Sequence, residues 1–173
     1  MLQIDFSIFP VLQTERLLLR CLQAADEKEI FALRSNDSVN KYLDRPKANS
    51  PGEALQFIQK ICNGIDENTW IFWAVTMKPS GVLIGTICLW NIDMVKAVAE
   101  IGYELLPDYQ GKGIMQEAFS KVAAFGFDQM GLNMITAFVH IDNQRSVRLL
   151  ERNYFKRNTE LECVHHIPIN AAA

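Results

Sequence analysis

The stretch AEIGYELLPDYQGKGIM, from Ala99 to Met115, decides the fold. An extended run ends before Pro107, a short loop with the pattern Gly-x-Gly follows, and an amphipathic segment then begins. A strand that leads through such a loop into a helix exposes backbone N–H groups at the positive end of the helix dipole. Glycine lets the backbone approach a ligand closely because it carries no Cβ. The joint therefore predicts a binding site for an anion such as a phosphate group.

Two familiar phosphate-binding loops do not match this joint. The pattern G-x-x-x-x-G-K-[ST] is absent because Ile114 follows Gly113. The dinucleotide pattern G-x-G-x-x-G is absent because Gln116 and Glu117 occupy the region where a third glycine would fall. Nucleotide hydrolysis and dinucleotide redox chemistry are therefore not the leading functions.

The segments on either side of the joint predict an α+β chain. Helix-start residues precede three segments: Asp26, then Asn36 or Asp37, and then Ser50. A long amphipathic segment follows the glycine loop, and residues 143–152 also have a helical pattern. Strand patterns cover residues 15–22, a hairpin over 70–92, and residues 98–105, 133–140 and from 155 onward. Because these elements do not alternate strictly, we predict one domain over residues 1–173 with a mixed, mostly antiparallel sheet flanked by helices. Gly64 is a predicted weak position in the third helical segment.

The composition excludes several classes of protein. Hydrophobic residues make up 49% of the chain, which is enough to offset the entropy of ordering, so the chain is not disordered. The net charge of −3 gives no basic excess for nucleic acid or anionic lipid. No apolar run reaches the roughly 20 residues that span a bilayer, and the first residues lack a secretory pattern. We therefore expect a cytoplasmic protein without nucleic-acid or membrane partners.

The metal-binding residue types are not arranged for a metal site. The cysteines Cys21, Cys62, Cys88 and Cys163 have no paired spacing, which is typical of buried thiols in a reducing compartment. The neighbours His165 and His166 would point to opposite faces of a strand. We therefore expect no metal. The aromatic residues Trp70, Phe72, Trp73 and Trp90 are expected to pack in the core rather than to stack on bases.

Three segments in the same order resemble motifs of the GCN5-related N-acetyltransferases, the GNAT family, and in particular its ribosomal-protein (RimJ/RimL-type) branch. The loop QGKGIM, Gln110 to Met115, is similar to the family pattern of Gln or Arg, two residues, Gly, one residue, then Gly or Ala. The segments TERLLLR, Thr14 to Arg20, and NQRSVRLLER, Asn143 to Arg152, also resemble the family. The resemblance covers residues 12–156 and implies the GNAT fold, splayed between the family's fourth and fifth strands, here 98–105 and 133–140.

The resemblance implies acetyl-CoA as cosubstrate and a direct transfer of its acetyl group to a primary amine, from a protein N terminus or a small molecule. The implied diphosphate site is the backbone of Gly111 to Met115, and the pantetheine would pair like a strand with Tyr103 to Leu105. The implied cofactor-binding residues are Tyr103, Leu105, Gln110, Gly111, Lys112, Gly113, Ile114, Met115 and Asn143. Strand amides near Leu105 would stabilise the charge on the acetyl oxygen.

Catalytic roles follow from the same resemblance. Glu100 matches a strand glutamate that serves as general base in several members, and the alternative is a solvent-facing residue, as it is for Glu104. Ser146 is similar to a serine near the thiolate, and the alternative is a helix-start hydroxyl that bonds the backbone. No acyl-enzyme is expected, because no cysteine falls in the motif region and Cys88 lies a strand earlier.

Departures from the family pattern keep an acyl-CoA-binding sensor or regulatory module open as an alternative. Met115 replaces a small residue and would narrow the approach to the diphosphate, Leu150 replaces a proton-donating Tyr, and Tyr154 replaces a usual Gly. The short stretch after Phe155 predicts an abbreviated closing strand pair, with residues 171–173 contributing little. A homodimer is also considered.

Overall fold

The computed structural model describes Leu2, residues 4–157 and residues 166–172. The strands are β1 Leu12–Gln13, β2 Leu17–Arg20, β3 Ile71–Met77, β4 Leu83–Asp93, β5 Val98–Leu105, β6 Met134–His140, β7 Lys156–Arg157 and β8 His166–Ala172. The α-helices are α1 Glu27–Ser35, α2 Asp37–Asn40, α3 Pro51–Asp66, α4 Ile114–Phe125 and α5 Gln144–Arg152. Single turns of 3₁₀-helix cover Ala24–Asp26 and Pro107–Tyr109, and a π-helical turn over Gly126–Met130 extends α4. Cys163 and His165 lie outside the described residues.

The strands form one sheet in the order β1-β2-β3-β4-β5-β6-β8-β7. Neighbouring strands are antiparallel except β5 and β6, which run parallel, so the predicted mixed, mostly antiparallel sheet is confirmed. The β5–β6 pairing covers only Val98–Glu100 against Met134–Thr136, and no strand of the described chain pairs with this edge of β5 beyond Glu100. The predicted splay is therefore present as a V-shaped opening between the two strands.

The closing strands differ from the expectation in one respect. β7 is short, as predicted, but Ala171 and Ala172 pair with Ile135 and Met134 on β6. The expectation that residues 171–173 contribute little was wrong for these two, because strand pairing uses backbone groups and does not require a large side chain.

Local signals account for the helix starts. The Ser50 hydroxyl accepts a hydrogen bond from the Glu53 N–H, and Pro51 occupies the first position of α3.

Gly64 in this helix is a packing requirement rather than a weak position, because a Cβ there would lie 2.2 Å from the Trp70 indole ring. That indole donates to the Ile61 carbonyl at 3.1 Å, so it cannot move away freely.

The two faces of the sheet are covered differently. On one face α4 covers the strands, with edge contacts from Phe125 to Trp73 and from Phe119 to Tyr103. On the other face α3 covers β3, where Phe57 contacts Phe72 edge-on at 5.9 Å. Helix α1 also contacts β4 on this side, where Thr86 and Cys88 are buried. The face is uncovered around Trp90, which is 42% exposed, and this part is called the open sheet face below. The expectation that Trp90 packs in the core was therefore wrong.

Among the described residues, no helix combines the length and apolar character needed to cross a membrane. The same residues contain no group of three or more His, Cys, Asp or Glu side chains placed to hold a metal ion. Cys21, Cys62 and Cys88 are free thiols.

Candidate active site

The glycine loop presents a row of free backbone N–H groups. Gly111 and Gly113 have φ angles of 76° and 72°, in the left-handed region that favours glycine. Their N–H groups make no hydrogen bond to any residue that the structure describes. The first bond of α4 runs from the Glu117 N–H to the Gly113 carbonyl at 3.1 Å, which leaves the N–H groups of residues 114–116 at the helix end without helical partners. This is the geometry that binds phosphate groups.

Met115 does not narrow the loop. Its side chain is buried in the core, only 9% exposed, on the same face of α4 as Ala118 and Phe119. The expectation of a narrowed diphosphate approach was wrong, because the turn of the helix directs this side chain away from the loop. Lys112 is exposed, and its ammonium lies 5.8 Å from the centre of the Tyr109 ring.

Thr14 and Arg16, just before β2, hold the glycine loop in place through hydrogen bonds to Glu117 and Lys112. These contacts are called the clasp. The Arg16 guanidinium donates to Glu117 Oε2 at 2.6 Å and to the Lys112 carbonyl at 3.0 Å. The other carboxylate oxygen of Glu117 accepts from the Arg16 N–H at 2.9 Å and from the Thr14 hydroxyl. Although burial raises it, these hydrogen bonds hold the pKa of Glu117 below its ordinary value. The clasp fixes the loop without using its N–H groups, and it neutralises a carboxylate beside the anion site.

Gln110, a predicted cofactor-binding residue, has both ends of its side chain engaged by the protein. Its amide nitrogen donates to the Leu105 carbonyl at 2.8 Å, and its amide oxygen accepts from Arg145 at 2.6 Å. Gln110 therefore links the end of β5 to the first turn of α5 across the V-shaped opening. The resemblance marked this residue, but only the structure shows its partner Arg145.

The open edge of β5 is formed by Tyr103 and Leu105. The next residue, Leu106, donates its N–H to the Ile84 carbonyl at 2.9 Å, on the β4 side. Because successive backbone groups of a strand point to opposite sides, those of Tyr103 and Leu105 point toward the opening. The Leu105 carbonyl already accepts from Gln110, so an extended ligand could pair with the backbone of Tyr103 and the N–H of Leu105, as an added strand does.

Ser146 lies in the first turn of α5, beside Tyr103 of β5, and Asn143 caps this helix. The Asn143 side chain accepts a hydrogen bond from the Ser146 N–H at 3.3 Å. Burial raises the pKa of Tyr103 to about 12, against the opposing effect of the Ser146 side chain. The serine side chain is therefore close to a phenol on β5.

Glu100 lies on the open sheet face beside the point where the β5–β6 pairing ends. Its side chain is partly buried, and burial raises its pKa to about 7, although a hydrogen bond with Asn91 lowers it. A carboxyl group with a pKa near neutral is suited to accept a proton at physiological pH. The alternative of an ordinary solvent-facing strand residue does not describe this environment.

Glu104, two positions further along the same face, is also not solvent-facing. Its carboxylate is buried, forms an ion pair with Arg45 at 2.5 Å and accepts from the Thr86 hydroxyl at 3.3 Å. The alternative of a solvent-facing Glu104 therefore does not hold. Arg45 and Thr86 already occupy this carboxylate, so Glu100 is the better candidate base.

Cys88 is close to this face despite its distance in sequence. Antiparallel pairing places it opposite Gly102, with its sulfur 3.5 Å from the Gly102 carbonyl. The argument that Cys88 is remote because it lies a strand earlier was therefore wrong. Burial raises the pKa of this thiol strongly, which keeps it protonated and a poor nucleophile.

Leu150 in α5 and Tyr154 just after it, which depart from the family pattern, have separate structural explanations. Leu150 is fully buried and belongs to the core. Tyr154 is 87% exposed and has a φ of 64° immediately after the helix. The N–H groups of Tyr154 and Phe155 bond the carbonyls of Glu151 and Leu150, which is the Schellman ending that normally has glycine at this position.

Comparison with known proteins identifies the family. The model of the Acetyltransferase (GNAT) domain family matches residues 16–156. The chain is 37% identical over 150 residues to the Uncharacterized N-acetyltransferase YoaA of Bacillus subtilis, an alignment that covers 87% of this chain and 85% of that protein. It is 26% identical over 137 residues to the spermidine N(1)-acetyltransferase of Vibrio cholerae, with 79% and 76% covered.

A solved structure shares the whole fold. The RimL ribosomal L7/L12 alpha-N-protein acetyltransferase, in complex with coenzyme A, superimposes with a TM-score of 0.83 at 18% identity, over 94% of this chain and 98% of that chain. The family match includes β5, the glycine loop and α5, which together form the V-shaped opening described above. On this evidence the chain belongs to the GNAT family of N-acetyltransferases.

Proposed function

We propose that the chain transfers the acetyl group of acetyl-CoA directly to a primary amine, either the N terminus of a protein or a small molecule. The observation that carries the proposal is the unpaired edge of β5, which leads into a loop with free N–H groups at the start of α4. Similar proteins support the cosubstrate and the two kinds of amine. The ribosomal L7/L12 alpha-N-protein acetyltransferase was solved with coenzyme A, and another similar protein is a spermidine acetyltransferase.

The residues present fit acetyl-CoA. In this proposal the N–H groups of residues 111–115 hold the diphosphate, and the Tyr103 carbonyl and the Leu105 N–H pair with the pantetheine. Asn143, Gln110 and Lys112 lie around the same opening or loop. When bound, acetyl-CoA supplies a thioester, which is an activated acyl donor.

Glu100 is the proposed general base. Only the uncharged amine attacks a thioester, and at pH 7 deprotonation costs about 4.6 kcal/mol for a lysine-like amine and about 1 kcal/mol for an α-amine. Glu100 accepts the proton of the ammonium group, because its raised pKa of about 7 brings it closer to the pKa of the acceptor. The amide N–H of Tyr103, on the open edge of β5 near Leu105, stabilises negative charge on the acetyl oxygen.

Ser146 is the proposed hydrogen-bond donor to the leaving sulfur. Its side chain lies beside Tyr103, at the opening. The raised pKa of Tyr103 keeps the phenol protonated at neutral pH, and in this proposal the phenol donates to Ser146 while Ser146 donates to sulfur. Together, Tyr103 and Ser146 supply the proton donation that the resemblance assigns to a Tyr at the position of Leu150.

We also propose a cytoplasmic location, which is consistent with free thiols at Cys21, Cys62 and Cys88. The homodimer remains a prediction from the sequence.

The test is incubation with acetyl-CoA and a panel of amines, comprising short peptides, spermidine and free amino acids, while free thiol release is followed. Acetylated product identified by mass spectrometry for at least one amine is the expected result. Thermal stabilisation by CoA without turnover of any amine would instead favour the acyl-CoA-binding sensor. Absence of both effects would contradict the assignment of the opening and loop as a CoA site.

A further inference from the structure

Arg34, Arg45 and Glu104 form a charged cluster beside the open sheet face. The Arg45 guanidinium pairs with Glu104 Oε2 at 2.5 Å and donates from Nε to the Asn40 side-chain oxygen at 2.9 Å. The side chains of Arg45 and Glu104 are only 23% and 7% exposed. Asn40 is itself fixed by hydrogen bonds to the carbonyls of Leu33 and Asn36, so the cluster is held rigidly.

The cluster contains more positive than negative charge. Arg34 lies 4.0 Å from the centre of the Phe57 ring and forms no salt bridge with any residue of the described chain. Burial and the neighbouring Arg45 hold the pKa of Arg34 below its ordinary value, with partial compensation from Glu104. Two guanidinium groups therefore lie near one buried carboxylate, which pairs with Arg45 alone, and Arg34 faces the Phe57 ring but pairs with no carboxylate of the described chain. Nearby, Lys47 and Asp37 already pair with each other at 2.5 Å.

The cluster and the candidate base lie on one face of β5. Glu100, Gly102 and Glu104 alternate onto the same face, and a strand rise of about 3.3 Å per residue places the α carbons of the two glutamates about 13 Å apart. Between them Gly102 leaves room for the Trp90 indole, whose nitrogen lies 3.6 Å from the position that a Cβ on Gly102 would take. The exposed indole therefore lies between the base and the cationic cluster.

We propose that the acceptor is an amine that carries a carboxylate, which Arg34 and Arg45 bind while the amine lies at Glu100. This inference rests on the function proposed above. In an extended peptide each residue spans about 3.3–3.6 Å, so the side chain of a glutamate in the third position reaches the cluster from the N-terminal amine. A polyamine would instead place a second cation against the unpartnered guanidinium, which is unfavourable.

The experiment compares kcat/KM for three pentapeptides that differ only at the third position, which is Glu, Gln or Lys. The acidic peptide is expected to exceed the amide peptide by about tenfold, the usual effect of a charge-assisted hydrogen bond. The variant Arg34→Gln removes the surplus charge without unpairing Glu104, so this ratio falls toward one. Arg34→Lys keeps the charge and retains a preference. Lys28→Gln, on an exposed position of the same helix, is the matched control and leaves the ratio unchanged.

Free amino dicarboxylates and spermidine form a further arm. The amine and side-chain carboxylate of a free dicarboxylate are too close together to reach from Glu100 to the cluster, so these compounds are expected to be poorer acceptors than the acidic peptide, and a preference for them overturns the inference. Equal kcat/KM for the three peptides, or a preference for the basic peptide or spermidine, overturns this inference and leaves the acetyltransferase proposal intact. No transfer to any amine overturns both. Thermal unfolding of Arg34→Gln with and without CoA verifies that the variant is folded.

Discussion

Replacing Glu100 by Gln tests the candidate base through two independent pH profiles. A base must be deprotonated to act, so kcat/KM of the unaltered chain is expected to rise with pH up to about 7, where its raised pKa lies, and then to level off. Glu100→Gln is expected to lower kcat/KM by about two orders of magnitude at pH 8, within the range of general-base catalysis, and to remove this pH step. The assay is initial-rate thiol release with one peptide at several pH values.

The free energy of unfolding is expected to change with pH in the opposite direction to kcat/KM. The folded-state pKa of Glu100 is raised from its ordinary value of 4.5 to about 7, so between these values the unfolded chain has lost the proton that the folded chain retains. The free energy of unfolding therefore decreases as pH rises through this window, by less than about 1.4 kcal/mol per pH unit because the side chain is only partly buried. Glu100→Gln lacks this decrease, so its Tm relative to the unaltered chain is expected to be higher at pH 8 than at pH 5.

Two results would refute the reasoning about Glu100. A loss of kcat/KM below threefold with a good acceptor would remove Glu100 as the base. An equal difference in Tm between the two chains at pH 5 and pH 8 would show that the carboxyl group has no raised pKa. Asp108→Asn, an exposed substitution in the nearby 3₁₀ turn, is the control and should leave both profiles unchanged.

The remaining predictions concern stability and the loop. Tyr154→Gly is expected to raise the free energy of unfolding by about 1 kcal/mol in urea unfolding, because the exposed Tyr154 occupies a left-handed conformation; no gain would contradict this. Gly64→Ala is expected to destabilise the chain, since the new Cβ would overlap Trp70, and an unchanged Tm would contradict it. Arg16→Gln is expected to weaken CoA binding at least tenfold by calorimetry, because Glu117 and the loop lose their clasp, whereas unaltered affinity would show that the clasp is not needed.

Local signals in the sequence were sufficient for most of the secondary structure. Strand β5 has the bounds that its pattern predicts, and Ser50 and Asn143 start helices where their side chains cap the first turn. These features depend on residues within one turn or one strand, so a single sequence contains the information. The splay beside β5 was instead implied by family resemblance, because no local pattern shows where two strands stop pairing.

Features that depend on tertiary packing were missed. Alternation assigns Trp90 to a face of the sheet but does not show whether a helix covers that face, so Trp90 was wrongly placed in the core. The pairing of β4 with β5 brings Cys88 opposite Gly102, which sequence separation concealed.

Contacts between distant residues explain two further parts of the candidate site. Arg16 and Glu117 are 101 residues apart, and Arg45 and Glu104 are 59 apart, so neither pair has a local signature. The family resemblance of TERLLLR was the only sequence signal for the first pair, and it gave no partner. The burial of Glu104 had no such signal, so a solvent-facing position stayed open as an alternative.

The central claim is that coenzyme A pairs with the open edge of β5 and lies across the loop at the start of α4. Amide hydrogen exchange resolved by residue, with and without CoA, measures this directly. The account predicts strong added protection at Tyr103, Leu105 and residues 111–115, and little change in β3, whose amides already lie between β2 and β4. Unchanged exchange at Tyr103, Leu105 and residues 111–115 while CoA is bound would place the cofactor elsewhere and contradict the account.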